Sequence, residues 1–296
     1  MDRSHEIADF LRIRRAGLTP DKAGLPDDGR IRRVPGLRRD EVARLAGVST
    51  EYYTRLEQGR VGNPSPEVLE ALARALHLDD SECEHLTDLL ARSTAPRRGP
   101  TSPQRVRAGL HLMLQTLGHV PAFILGRRTD VLASNHLARE VLTDFDALPA
   151  PRRNLARYYL LDPAARERVL DWDRIAAETV AVLRLEAGRH PRDKQLADLV
   201  GELTLKSPEF STWWNDHRVL RRTHGAKGYH HPLVGDLHFS YESFQVPGDN
   251  EQTLCVYNVE AGSESARSLQ LLVSWTTPQS PAFSPSEPAA PPASTS

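Results

Sequence analysis

Between Leu37 and Leu90 apolar residues return every three or four positions: Val42, Leu45 and Ala46, then Tyr53 and Leu56, then Val68, Leu69, Leu72 and Leu76, then Leu86, Leu89 and Leu90. That spacing puts each group on one side of a helix, and the Gly and Pro breaks between groups keep the helices short. Gly47 reads as the residue after a helix end. Ser65, followed by Pro66 and Glu67, reads as an N-cap with proline at the first helical position. A further helix carrying Ile7, Phe10 and Leu11 brings the expected number to about five.

The pattern changes after Pro103. VPAFILG, RTDVLASN, VGDLHFSYESFQV and QTLCVYNV alternate or cluster β-branched and aromatic residues between turn formers, as strands do. A long helical middle from Leu155 to about His217 lies between the two pairs, and SARSLQLLVSW reads as a closing helix. The expected fold is multidomain: an all-α domain, then an α+β domain with helices packed on a curved antiparallel sheet. Boundaries are expected at 1–91 for the first domain, 92–105 for a linker, 106–277 for the second domain and 278–296 for a disordered Pro/Ser/Ala-rich tail. A further composition break, AGLTPDKAGLPDDGR, lies near the start. The length of 296 residues accommodates two cores.

DEVARLAG, stopping at Gly47, and STEYYTRLEQ, capped by Ser49 and running to Gly59, form two short helices joined by a tight turn. That is helix-turn-helix geometry. It turns Ala43, Ala46, Tyr53 and Leu56 inward and leaves Thr50, Glu51, Tyr52 and Arg55 outward on the first turns of the second helix, the part that meets base edges in the major groove. Arg55 suits a bidentate contact to guanine, Glu51 a cytosine amino group, and Thr50 and Tyr52 a base, a thymine methyl or a phosphate.

The stretch LRRDEVARLAGVSTEYYTRLEQGRVGNPSPEVLEALARALHLDDSE resembles the DNA-binding domain of the XRE family, the Cro and lambda-repressor type of helix-turn-helix. The resemblance implies a lambda-repressor-like fold. It also implies phosphate or groove-edge contacts from Arg38, Arg39, Gln58 and Arg60, with Ser49 among the DNA-binding positions and Leu56 and Glu57 mainly structural. Charge points the same way: Arg12 to Arg60 holds 12 basic and seven acidic residues, whereas Val61 to Leu90 holds one basic and seven acidic. A positive face around the recognition helix is the footprint that phosphate binding requires. Arg92, Arg97, Arg98, Arg105 and Arg107 extend it. An ordinary α-hairpin with solvated arginines is the plainer alternative, and before Pro103 RNA recognition lacks its usual aromatic sheet motifs and GXXG loop.

Over the whole chain 38 Lys and Arg nearly cancel 39 Asp and Glu, so net charge excludes nothing. Cys83 and Cys255, far apart, form neither a disulfide framework nor a metal spacing and suit a reducing cytoplasm. No signal-peptide core or membrane-length apolar run is present. A cytoplasmic, non-enzymatic protein with no cofactor or membrane partner is expected, since the serine-elbow, phosphate-loop and zinc-helix motifs are missing.

LDPAARERVLDWDRIAAETVAVLRLEAGRHPRDKQLADLVGEL, SPEFSTWWNDHRV and HHPLVGDLHFSYESF resemble the ligand-binding domain of MmyB-like transcription regulators. The resemblance implies a PAS-like fold and a pocket for a small apolar ligand, with long-chain fatty acids the leading class. Phe210, Trp213, His217, Tyr229 and Phe239 are the candidate ligand-binding residues. Helical spacing sets Phe210, Trp213 and His217 on one face, and His217 or Arg218 can meet a carboxylate. Taken singly, each aromatic fits a core position at least as well. His224, His230 and His231 lack metal-ligand spacing, and a turn packed by Pro232 accounts for His-His-Pro. The expected protein is a homodimeric regulator that reads double-stranded DNA through paired half-sites. A constitutive antitoxin-like module whose second domain binds a protein is the competing expectation.

Overall fold

The computed structural model describes residues 3–26, 36–60, 64–90, 104–221 and 223–276. The expected linker up to Pro103, the tail, and part of the early composition break lie outside them.

Five helices make the first unit: α1 (Arg3–Gly17), α2 (Arg39–Leu45), α3 (Thr50–Glu57), α4 (Pro66–Ala75) and α5 (Asp80–Leu90). Phe10, Leu11, Leu37, Val42, Tyr53, Leu56 and Leu72 are fully enclosed in one core. Each such side chain contributes about 1.5–3 kcal/mol by leaving water. Leu45, expected inside, is 38% exposed: Val42, Ala43 and Ala46 take the inward side of this last turn and leave Leu45 at its edge.

The second unit opens with α6 (Ala108–Thr116), β1 (Ala122–Leu125), β2 (Val131–Ser134) and α7 (His136–Val141). After two short 3-10 turns come α8 (Leu155–Leu161), α9 (Pro163–Arg168), β3 (Val169–Leu170), α10 (Trp172–Arg189), α11 (Lys194–Lys206) and α12 (Pro208–Asn215). The chain closes with β4 (His224–His231), β5 (Gly235–Val246), β6 (Asp249–Asn258) and α13 (Glu264–Thr276). The strands form one antiparallel sheet in the order β2-β1-β6-β5-β4-β3. Residues of α6 cover one face over Ala122, Ile124 and Leu254. The other face carries Phe123, Tyr229, Leu237, Phe239, Tyr241 and Tyr257 against α7, α8, α10 and α13.

Three expectations change. The helical middle is interrupted at Val169–Leu170, which pairs with Tyr229 and Gly228 of β4. A side chain at Gly228 would meet Leu170 at 2.8 Å, so glycine lets β3 approach. His230 and His231 end a strand, and the turn begins only at Pro232. Helix α12 stops at Asn215, so His217, at φ 51°, is beyond it and not on the face of Trp213.

Candidate DNA interface and ligand cavity

The turn between α2 and α3 follows from its residues. Gly47 adopts φ +67°, which an L side chain resists, and Ser49 Oγ accepts the Tyr52 N–H at 3.0 Å to start α3. Ala43, Ala46, Tyr53 and Leu56 are buried, leaving Ser49, Thr50, Glu51 and Arg55 exposed and Tyr52 half-buried. Gln58 and Arg60 are exposed just past α3, with Arg39 exposed and Arg38 half-buried at the start of α2.

Glu57, at the end of α3, is buried and holds three helices together. Its carboxylate accepts Arg15 Nη2 of α1 at 2.7 Å and Arg39 Nε of α2 at 2.8 Å. Arg39 is thus both exposed and structurally committed. Gly59, at φ +66°, lies so close to α1 that a Cβ there would meet Ser4 O at 2.4 Å. The sequence Leu-Glu-Gln-Gly-Arg therefore ends the recognition helix and fixes it to α1.

The two units meet through α1 and α5 on one side and α10 with the segment after α12 on the other. Arg184 of α10, 1% exposed, donates to Trp214 O at 2.7 Å, reaches His217 Nδ1 at 2.5 Å and stands 3.4 Å from Glu6 of α1. Its guanidinium also covers the Trp214 ring at 4.7 Å. Arg14 of α1 donates to His217 O at 2.5 Å and pairs with Glu82 at 2.8 Å. Burial, with Arg184 as the next cause, pushes both His85 of α5 and His217 down to about 3, so both rings are neutral at ordinary pH.

A cavity of about 660 Å³ lies at this junction, lined by Glu84, Leu125, Arg127, Val182, Leu185, Glu186, Arg189, Leu220, Arg221, Ser243 and Cys255 among others. Alternation along β5 and β6 puts Ser243 and Cys255 on the same sheet face as Tyr241 and Tyr257, so the cavity adjoins the aromatic core. There Tyr229 Oη is 2.7 Å from Tyr159 Oη and 3.3 Å from Tyr257 Oη. Lys227, 2% exposed, donates to Tyr159 Oη at 3.2 Å and lies 5.1–5.7 Å from the ring centres of Tyr159, Tyr241 and Tyr257.

The structure separates the five candidate ligand residues. Tyr229 and Phe239 sit within the sheet core, Phe210 and Trp213 pack among α8, α10, α11 and α12, and His217 belongs to the contact with the first unit. None of the five lines the cavity. Sequence reasoning missed Glu84, Arg127, Arg184, Arg189, Arg221 and Lys227. Arg184 and Arg189 fall on one helical run, but apart from the local Glu186–Arg189 pair their partners lie on α1, on α5 and around the end of α12, far away in sequence. Among the described residues no group of three or more His, Cys, Asp and Glu is placed to hold a metal ion, and no helix is long and apolar enough to cross a membrane.

A capped pair of short helices with an exposed second-helix surface, joined to a cavity-bearing α+β unit, defines a DNA-binding transcription regulator of the helix-turn-helix class. A helix-turn-helix family model matches residues 6–86. The model of the MmyB-like transcription regulator ligand binding domain matches residues 106–272, more than half the chain, and the chain belongs to that family. A search of curated proteins found no match.

Proposed function

We propose that this protein is a cytoplasmic, homodimeric, sequence-specific regulator whose affinity for double-stranded DNA responds to a small apolar ligand such as a fatty acid. In this reading residues 1–91 read DNA, 92–105 link, 106–277 sense the ligand in a PAS-like domain, and 278–296 form a tail. The observation that carries the reading is the surface of α3: Tyr53 and Leu56 anchor it while Thr50, Glu51 and Arg55 stay exposed. Arg55 contacts a base edge, assisted by Tyr52, and Arg38, Arg39, Ser49, Gln58 and Arg60 meet the backbone or groove edge. The PAS-like reading draws support from the order β2-β1-β6-β5-β4, with α7 to α12 inserted between β2 and β4. The cavity beside the aromatic sheet face supports ligand binding. In this reading the five candidate residues stand behind the cavity: Tyr229 and Phe239 in the aromatic sheet core that adjoins it, Phe210 and Trp213 among the packed helices, and His217 in the contact with the first unit.

Selection of bound sequences from a random duplex pool, at fixed salt, tests the DNA reading. Wild type should recover a two-half-site motif, and Arg55→Ala should relax it at one position, costing about 1–3 kcal/mol. Failure of wild type to enrich any sequence removes the proposal. Mass spectrometry of the denatured protein after native purification should release a small apolar compound, and a stable protein partner in its place would favour the antitoxin-like module.

A further inference from the structure

Glu84 belongs to α5 of the DNA-binding unit, yet its carboxylate lines the cavity and joins two arginines of the sensing unit. Arg189 Nη2 is 2.6 Å from it, and Arg221 donates to it as well. The same cavity is lined by the apolar Leu125, Val182, Leu185 and Leu220 together with polar and charged side chains. Two guanidiniums converging on one carboxylate in a cavity that also offers apolar side chains form an anion site, and here that site is filled from within the chain.

The charges around it restrict how another anion can enter. Arg189 also pairs with Glu186 at 2.8 Å and Asp88 at 3.3 Å, and Arg127 pairs with Glu251 at 3.2 Å and lies 3.7 Å from Asp193. An added anion would crowd these carboxylates, whereas one that takes the place of Glu84 leaves the charge balance unchanged. Replacement is feasible because the Glu84 and Arg221 side chains keep 34% and 45% of their surface in water. Arg127 supplies a further donor, since its buried Nε has no hydrogen-bond partner among the described residues.

We propose that the cavity binds an amphiphilic organic anion whose charged group takes the place of Glu84 on Arg189 and Arg221, so that ligand and α5 compete for the same two guanidiniums. This rests on the reading of the second domain as a small-ligand sensor and adds how ligand reaches the DNA-binding unit. Binding removes one anchor of α5, and by linkage a variant lacking that anchor binds the anion more tightly.

The test is calorimetric titration of the full chain with decanoate and with uncharged decanol, using wild type, Glu84→Gln, Arg221→Gln and Asp80→Asn. Asp80→Asn makes the same charge change at an exposed position of α5 outside the cavity. Decanoate should bind Glu84→Gln at least fivefold more tightly than wild type or Asp80→Asn, and Arg221→Gln at least tenfold more weakly. Decanol should not distinguish the four proteins. Hydrogen exchange of the α5 amides should quicken when decanoate is added to wild type and be quick already in Glu84→Gln. Equal decanoate affinity in all four proteins overturns the competition while leaving the sensor reading intact, as does equal tightening by Asp80→Asn and Glu84→Gln. Absence of decanoate binding in every protein overturns it too, and the sensor reading is then decided separately by the copurified compound.

Discussion

At the scale of single residues, Arg184 holds the most exacting position. Its guanidinium is out of water and spans Trp214 O, His217 and Glu6, so removing it strands a carboxylate and a carbonyl together. Arg184→Ala should lower unfolding free energy by about 3 kcal/mol in urea denaturation. Arg184→Lys, with charge but no planar fork, should recover only part of that. Tyr229 poses a smaller version of the same problem: Tyr229→Phe forfeits hydrogen bonds to two tyrosines and should cost about 1–2 kcal/mol. Neither role was legible in the sequence. Glu6 and Arg184 lie 178 positions apart, and a buried arginine has the same letter as a solvated one.

At the scale of elements, legibility followed the strength of the periodic signal. Helices α1 to α5 bury one side, the first three end at or within two residues of Gly17, Gly47 and Gly59, and strands β1, β2, β5 and β6 carry β-branched or aromatic residues, so both kinds could be read. Strand β4 could not, because HGAKGYHH has two glycines and no β-branched residue. It is a strand because neighbours on both sides need its backbone, with Gly228 under Leu170 and Gly225 against Tyr241. The recognition pair was legible down to its caps, whereas the cavity draws its lining from both units and has no local pattern. Gly59 carries a prediction at this scale. Gly59→Ala forces a Cβ onto the backbone of α1 in a left-handed conformation, and should cost about 2 kcal/mol or more by thermal or urea unfolding. Gly47→Ala, with open space around it, should show only the smaller backbone strain, about 1 kcal/mol.

At the scale of the whole molecule, the contact between the units has its own response to pH. His85 comes from the first unit and His217 from the second, and both are held neutral down to about 3. Above the unfolded value of about 6.5 they have no effect on stability. Below it the unfolded chain takes up protons that the folded chain refuses, so stability falls by up to about 1.4 kcal/mol per pH unit for each histidine. His190 and His231, also lowered by burial, act in the same direction. Urea titrations below about pH 6.5 should show stability falling, and His85→Gln should make that fall shallower. Glu82, Asp88 and Glu186, all raised by burial, oppose the trend on acidification. Adjacent residues of α1 serve different partners: Arg15 grips Glu57 at the end of α3 within the first unit, and Arg14 grips the His217 carbonyl across the contact. For anyone building chimaeras, the useful seam is therefore not the covalent one. A foreign reader spliced on near residue 100 would keep the peptide connection but arrive without Arg14, Glu6 and Glu84, and so without the ion pairs and hydrogen bonds that join the first unit to Arg184, His217, Arg189 and Arg221.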